Sequence, residues 1–260
     1  MIKFRRKRKL ITKPIPFIQL FPNVITLLGL IIGISSIRFS LEQKWEEAIY
    51  CILIATIIDG IDGMVARFLN ATSHFGAELD SLCDLVNFGF CPAIITYLWL
   101  FDQEGIERIS WGCSLFFTVC MAIRLARFNS NIGLPKTTCF FQGVPAPSGA
   151  MLVLMPIIIK FKFLPLFNIE DLFIPSLYIN IYVILIALLV ASRLPTISLK
   201  KLTISPKYLT LAMIFFAINM IALYMYTWYV LPIAAILYLI SIPICLYKTN
   251  QENNEPAQHN

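Results

Sequence analysis

Long apolar runs separated by short polar breaks dominate the pattern of this chain. Eight runs are long enough to cross about 30 Å of hydrocarbon as helices. They cover roughly residues 17–39, 46–67, 79–100, 110–128, 147–164, 176–193, 208–226 and 230–247. A predicted tight turn at Trp228–Pro232 separates the last two runs. The pattern therefore predicts an all-α, polytopic membrane helix bundle with about eight transmembrane helices.

The polar segments divide this bundle into parts. Residues 1–16 form a basic tail, and residues 17–207 form a membrane core of six predicted helices. Residues 208–249 add two C-terminal helices, and residues 250–260 form a polar tail that we expect to be disordered.

Composition supports a membrane protein and orients it. The chain is 58% hydrophobic and 14% charged, whereas a soluble domain has about 25% charged residues. Sixteen of the 21 lysines and arginines fall on the side that holds the N-terminal tail and the loop between the second and third helices. The positive-inside rule therefore predicts that both termini and this loop are cytoplasmic. The sequence has no basic patch with interleaved aromatic residues, so nothing in it indicates nucleic-acid binding.

Four aspartates interrupt the apolar pattern where the second predicted helix ends and the third begins: Asp59, Asp62, Asp80 and Asp84. A charge within the bilayer costs about 2.5 to 3.5 kcal/mol on insertion scales, so the group needs a partner. Helical spacing places Asp59 and Asp62 on one face, and Asp80 and Asp84 on another. Together the two faces would form an oxygen-rich cage for Mg²⁺ or Mn²⁺.

Two other interpretations of the aspartates stay open at this point. Some of them could pair with Arg67, Arg124 or Arg127. They could also relay protons or cations in a transporter, although they bunch near one membrane face rather than at the midplane.

The pattern D-x-x-D-G-x-x-A-R, then eight residues, then G-x-x-x-D-x-x-x-D, resembles the signature of the CDP-alcohol phosphotransferase family. The resemblance implies a membrane enzyme that transfers a phosphoryl-alcohol group from a CDP-alcohol, releases CMP and uses two divalent ions, Mg²⁺ or Mn²⁺. It implies three metal ligands, Asp59, Asp62 and Asp80, with Asp84 as a fourth ligand or as the general base. The nucleotide-contacting set that it implies is Asp59, Gly63, Ala66, Arg67, Gly76 and Asp80.

Further stretches are similar to the bacterial and archaeal phosphatidylserine synthases of this family: LFPNVITLLGLIIG, DSLCDLVNFGFCPA, IRLARFN and ASRLPTISLKK. This similarity implies CDP-diacylglycerol and L-serine as substrates and the inner membrane of a prokaryote as the location. A homodimer is compatible with it. Glycerol phosphate, inositol phosphate or choline remains an alternative acceptor.

Some residues outside the signature are candidates for substrate contacts. Arg124, Arg127 and Asn129 would meet the serine carboxylate and a phosphate, with Arg193 as a second candidate. The alternative for the arginines is an interfacial anchor that snorkels to the membrane surface. Pro22, Asn23 and Thr26 belong to the first stretch. Asn23 and Thr26 would reach the cytidine or a metal-bound oxygen, or else form plain interhelical hydrogen bonds.

Overall fold

The computed structural model describes residues 20–69, 71, 73–101, 106–130, 141–142, 144–167, 175–192, 195–196, 218, 221 and 225–254. Over these residues the chain is helical, apart from two strands of two residues each. The helices are α1 (Phe21–Leu41), α2 (Trp45–Phe68), α3 (His74–Asp84), α4 (Cys91–Leu100), α5 (Glu107–Ser130), α6 (Ala146–Ile158), α7 (Ser176–Ala191) and α8 (Thr227–Asn254).

Irregular turns and one small sheet complete the described elements. A π-helical turn, Leu85–Phe90, joins α3 to α4 without a break, and another, Ile159–Phe163, follows α6 and leads into a 3₁₀ turn, Leu164–Phe167. Strand β1 (Phe141–Gln142) pairs antiparallel with β2 (Pro195–Thr196).

The membrane-spanning pattern is confirmed in its main outline: this is a multi-pass helical membrane protein. Five described helical stretches are long and apolar enough to cross a bilayer: 21–41, 45–68, 74–100, 107–130 and 146–163. Two shorter apolar helices, 176–191 and 227–243, accompany them. The predicted seventh crossing, 208–226, lies almost entirely outside the described residues.

Three predicted boundaries were wrong. The third helix begins at His74 rather than at residue 79, because the Ser73 hydroxyl accepts a hydrogen bond from the Gly76 N–H at 3.0 Å and caps a polar first turn. The predicted Trp228–Pro232 turn lies inside α8, since a membrane helix tolerates proline. The same helix continues to Asn254, into the segment predicted to be a disordered tail.

Small residues let α1 pack closely against its neighbours. Its buried positions are Pro22, Thr26, Gly29, Gly33, Ser36 and Ser40, which recur every three or four residues and form one face. A Cβ on Gly29 would lie 3.0 Å from Ile58 Cγ2 of α2, so glycine brings these two helices together. The opposite face of α1 is apolar and exposed, as expected for contact with lipid.

The apolar core lies between α4, α5, α6 and α7. Phe88, Phe117 and Met121 are fully buried in it. Close helix approach recurs here, since a Cβ on Gly149 would lie 2.8 Å from Val190 Cγ2. This core holds the carboxyl-terminal end of α5 beside α3 and α7, which positions the polar groups of the site.

Candidate active site

Helix α2 carries two of the four aspartates on one face. Asp59 and Asp62 lie one turn apart, and Asp62 is only 5% exposed. A polar cleft at this face is lined by both residues together with Thr26 of α1 and Cys83 of α3. Asp59 and Asp62 therefore form a pair of inward-facing carboxylates surrounded by apolar residues.

Helix α3 brings the other two aspartates to the same cleft. Carboxylate oxygens of Asp59, Asp62 and Asp80 all lie within 4.8 Å of one another. The carboxyl group of Asp84 lies within hydrogen-bonding reach of that of Asp59. The structure therefore brings all four predicted aspartates together.

Among the described residues, no aspartate of the cleft forms an ion pair, although Arg124 lies near Asp84. The described ion pairs instead involve Glu42, Glu46 and Glu78. The Oδ2 atom of Asp62 is buried and has no hydrogen-bond partner within the described part of the chain. Clustered carboxylate oxygens with an orphaned buried atom fit a hard divalent cation such as Mg²⁺ or Mn²⁺.

The other predicted nucleotide-contacting residues lie on α1, on α2 and in the first turn of α3. A Cβ on Gly63 would meet nothing within 4 Å, so the backbone there faces open space. Asn23 lies against the first turn of α3, with its Oδ1 atom 3.0 Å from the position of a Cβ on Gly76. Ala66 is half-buried, and Arg67 in the last turn of α2 is exposed.

Thr26 makes contacts both within α1 and towards Asp62 of α2. Its hydroxyl donates to the carbonyl oxygen of Pro22, one turn earlier in α1, at 3.1 Å. The residue is buried and lines the cleft beside Asp62. Its hydroxyl is therefore within hydrogen-bonding reach of the Asp62 carboxyl.

The two predicted acceptor-binding arginines have different surroundings. Arg124 lies near Asp84, and the Nε atoms of both arginines are buried without a hydrogen-bond partner among the described residues. Arg127 donates from a guanidinium nitrogen to the carbonyl oxygen of Ala191, the last residue of α7. The first arginine is therefore oriented towards the acidic cleft, whereas the second stabilises a helix end. Arg193 lies outside the described residues.

Asn129 makes its described contacts with α3. Its Nδ2 donates to the hydroxyl oxygen of Ser81 at 2.8 Å, and that hydroxyl is 3.0 Å from the carbonyl oxygen of Ala77. Ser81 is adjacent to Asp80 in the sequence. This contact therefore fixes the end of α5 to the helix that carries two of the aspartates.

Sequence reasoning missed the Ser81 contact and the Ser73 cap. The cap had a signal, because serine directly before a helical run is a preferred N-cap residue. The Ser81 contact joins residues 48 positions apart, and spacing alone gives no indication of such a pair.

Comparison with known proteins decides the family. A sequence model described as CDP-alcohol phosphatidyltransferase matches residues 19–191, which is most of the chain and includes every aspartate of the cleft. The chain belongs to this family. Members of the CDP-alcohol phosphatidyltransferase family use divalent metals, in agreement with the oxygen cluster of Asp59, Asp62 and Asp80.

Several curated relatives share one printed name, CDP-diacylglycerol--serine O-phosphatidyltransferase. The protein of Mycobacterium leprae is 33% identical over 238 residues, covering 88% of this chain and 75% of the relative. That of Helicobacter pylori strain J99 is 35% identical over 207 residues, covering 79% and 83%. That of Bacillus subtilis is 34% identical over 148 residues, covering 56% and 77%.

Proposed function

We propose that this protein transfers the phosphatidyl group of CDP-diacylglycerol to the hydroxyl of L-serine, giving phosphatidylserine and CMP. The observation that carries the proposal is the cluster of three aspartate oxygens within 4.8 Å, at family-signature positions. The names of the relatives support serine as the acceptor.

The four aspartates would have different roles in the reaction. Asp59, Asp62 and Asp80 would hold the divalent ions, with Asp84 as a further ligand or as the base. Bound divalent ions supply charge stabilisation at the transferring phosphoryl group and at the leaving oxygen. The serine oxygen forms a bond to the phosphorus that carries the diacylglycerol, and the bond from that phosphorus to the CMP oxygen breaks. A carboxylate, assigned to Asp84, takes the hydroxyl proton.

The substrate contacts follow from what each residue leaves accessible. The open space at Gly63 admits the backbone approach of a phosphate or sugar. Exposed Arg67 at the rim would bind phosphate, with Asn23, Thr26, Ala66 and Gly76 completing the nucleotide side.

On the acceptor side, Arg124 is the better candidate for the serine carboxylate, because it lies near Asp84 of the cleft, whereas Arg127 donates a hydrogen bond to the carbonyl oxygen of Ala191. Asn129 would support the acceptor side through its hydrogen bond to Ser81 of α3, rather than by contacting the substrate serine.

The finer membrane arrangement is part of the same proposal. We place the cleft on the cytoplasmic side of a prokaryotic inner membrane, because the lysines and arginines of the sequence favour that side. Eight crossings, a catalytic core of six helices at 17–207 and a homodimer complete this arrangement. Cysteine accessibility labelling of single-cysteine variants in sealed vesicles would test the orientation.

The deciding experiment is CMP release from CDP-diacylglycerol by the purified full-length protein. Serine, glycerol 3-phosphate, inositol phosphate and choline are offered in turn, with Mn²⁺, with Mg²⁺ and with a chelator. Release that requires both serine and metal is the expected result. Release with another acceptor instead would leave the fold and reaction class intact and replace the substrate. Cation uptake into vesicles without CMP release would favour a transporter.

A further inference from the structure

Asn87 is a buried polar residue that the signature does not contain. It lies three residues after Asp84, on the π-helical turn Leu85–Phe90, and is only 4% exposed. Its Oδ1 atom is buried and has no hydrogen-bond partner among the residues that the structure describes. Burying a carbonyl oxygen without a hydrogen-bond partner costs free energy, so a buried Asn87 requires an explanation.

The side chain of Asn87 occupies space that only glycine leaves free. A Cβ on Gly33 would lie 2.1 Å from Oδ1 and 2.7 Å from Cγ of Asn87. Any side chain at position 33 would therefore displace the amide. Gly33 lies on the buried face of α1, seven residues beyond Thr26. The amide thus rests directly on the backbone of α1.

This contact lies in the wall of the acidic cleft. Asn87 lines the cleft together with Asp59, Asp62 and Asp84. Asp84 is the last residue of α3 before the π-helical turn, whose i to i+5 hydrogen bonding redirects the helix that follows. Whatever fixes this turn also fixes the direction from which the Asp84 carboxyl enters the cleft.

We propose that Asn87 is a positioning residue of the metal centre: seated on Gly33, its amide fixes the π-helical turn and thereby holds Asp84 against Asp59. The inference rests on the proposed metal-dependent transfer. It deepens that function, because it assigns the geometry of the cluster to a contact between α1 and the turn. Groups that position metal ligands typically change metal affinity or activity by about 10- to 100-fold when they are removed.

The test compares Asn87→Ala, Gly33→Ala and the double variant with the unaltered full-length protein in detergent. Gly112→Ala is the matched control, because a Cβ there would meet nothing within 4 Å. Two readouts are taken: the rise in thermal midpoint on Mn²⁺ addition without substrates, and the Mn²⁺ concentration that gives half-maximal CMP release. Gly33→Ala leaves the chemistry of Asn87 intact and moves only its amide, so it decides the question even where Asn87→Ala does not fold.

Each single variant should raise the half-maximal Mn²⁺ concentration by about tenfold or more and reduce the thermal shift. The double variant should be no worse than Asn87→Ala, because the two residues act through one contact. If the variants have a lower thermal midpoint in the absence of metal but keep the Mn²⁺ response, the inference is overturned and Asn87 has only a packing role. Additive effects would overturn it as well. Absence of any Mn²⁺ response in the unaltered protein would instead refute the metal centre itself.

Discussion

Carboxylates occur in two very different settings in this molecule. In the loop between α1 and α2, Glu42 accepts from Lys44 at 2.7 Å and from Arg38 at 3.2 Å, and these partners hold the pKa of its carboxyl below the usual value. Nearby, Glu46 pairs with Lys162 at 2.6 Å. The aspartates of the cleft instead face one another. The paired carboxylates each have a basic side chain as a partner, whereas the clustered ones, with Arg124 near Asp84, form an oxygen group that fits a divalent cation.

Replacing an aspartate of the cleft should give the largest effect. Asp80→Asn removes one of the proposed metal ligands, so we expect CMP release to fall by about a thousandfold. Because the change also removes one of several mutually repelling charges, the thermal midpoint measured in chelator should rise or stay constant. A midpoint that falls in proportion to the lost activity would contradict the metal-site assignment.

The two arginines of α5 provide the next comparison. Arg124→Gln should raise the KM for serine by about tenfold or more, because a charge-assisted hydrogen bond to a carboxylate contributes about 1.5 to 3 kcal/mol. Arg127→Gln should leave this KM unchanged and lower the thermal midpoint, since it breaks the bond to the Ala191 carbonyl. Serine titrations and thermal unfolding of both variants separate the two roles. An unchanged serine KM in Arg124→Gln would disprove the carboxylate assignment.

Whether a contact could be predicted from the sequence depends on how far apart its two residues lie along the chain. Spacing along single helices predicted the aspartate pairs, because residues three or four apart share a face. The family signature added that the two pairs belong together. The capping role of Arg127 could not be predicted, because Ala191 lies 64 positions away and is found only by folding.

The π-helical turn also lacked a signal in the sequence. Its residues continue the apolar pattern of the third helix without interruption, so an ordinary helix was the natural prediction. The turn depends on tertiary packing, as at Gly89, where a Cβ would lie 3.1 Å from Met121 Cγ of α5. The same packing brings Asn87 onto Gly33, and for this reason neither residue stood out among the candidates for function.

Substitutions at two glycines test whether the open space at Gly63 is a substrate-binding surface. Gly63→Ala places a methyl group in the open space at Gly63, so the KM for CDP-diacylglycerol should rise while the free energy of unfolding stays constant or increases by about 1 kcal/mol. Gly149→Ala places the same methyl group 2.8 Å from Val190 Cγ2, and overpacking should cost about 1 to 3 kcal/mol of stability. Its KM should not change. Identical behaviour of the two variants would mean that the space at Gly63 is not a binding surface.

The paired carboxylate should give the smallest effect. Glu46→Gln breaks an ion pair with partly exposed partners, so we expect a stability loss below about 1 kcal/mol and unaltered CMP release. Lys162→Gln should cost more, because the Lys162 ammonium also lies 5.3 Å from the centre of the Trp228 ring. Thermal unfolding at low and high salt, with kcat measured in parallel, checks both expectations. A change in kcat from either variant would show that the paired carboxylates are coupled to the cleft, and the contrast between the two settings would then fail.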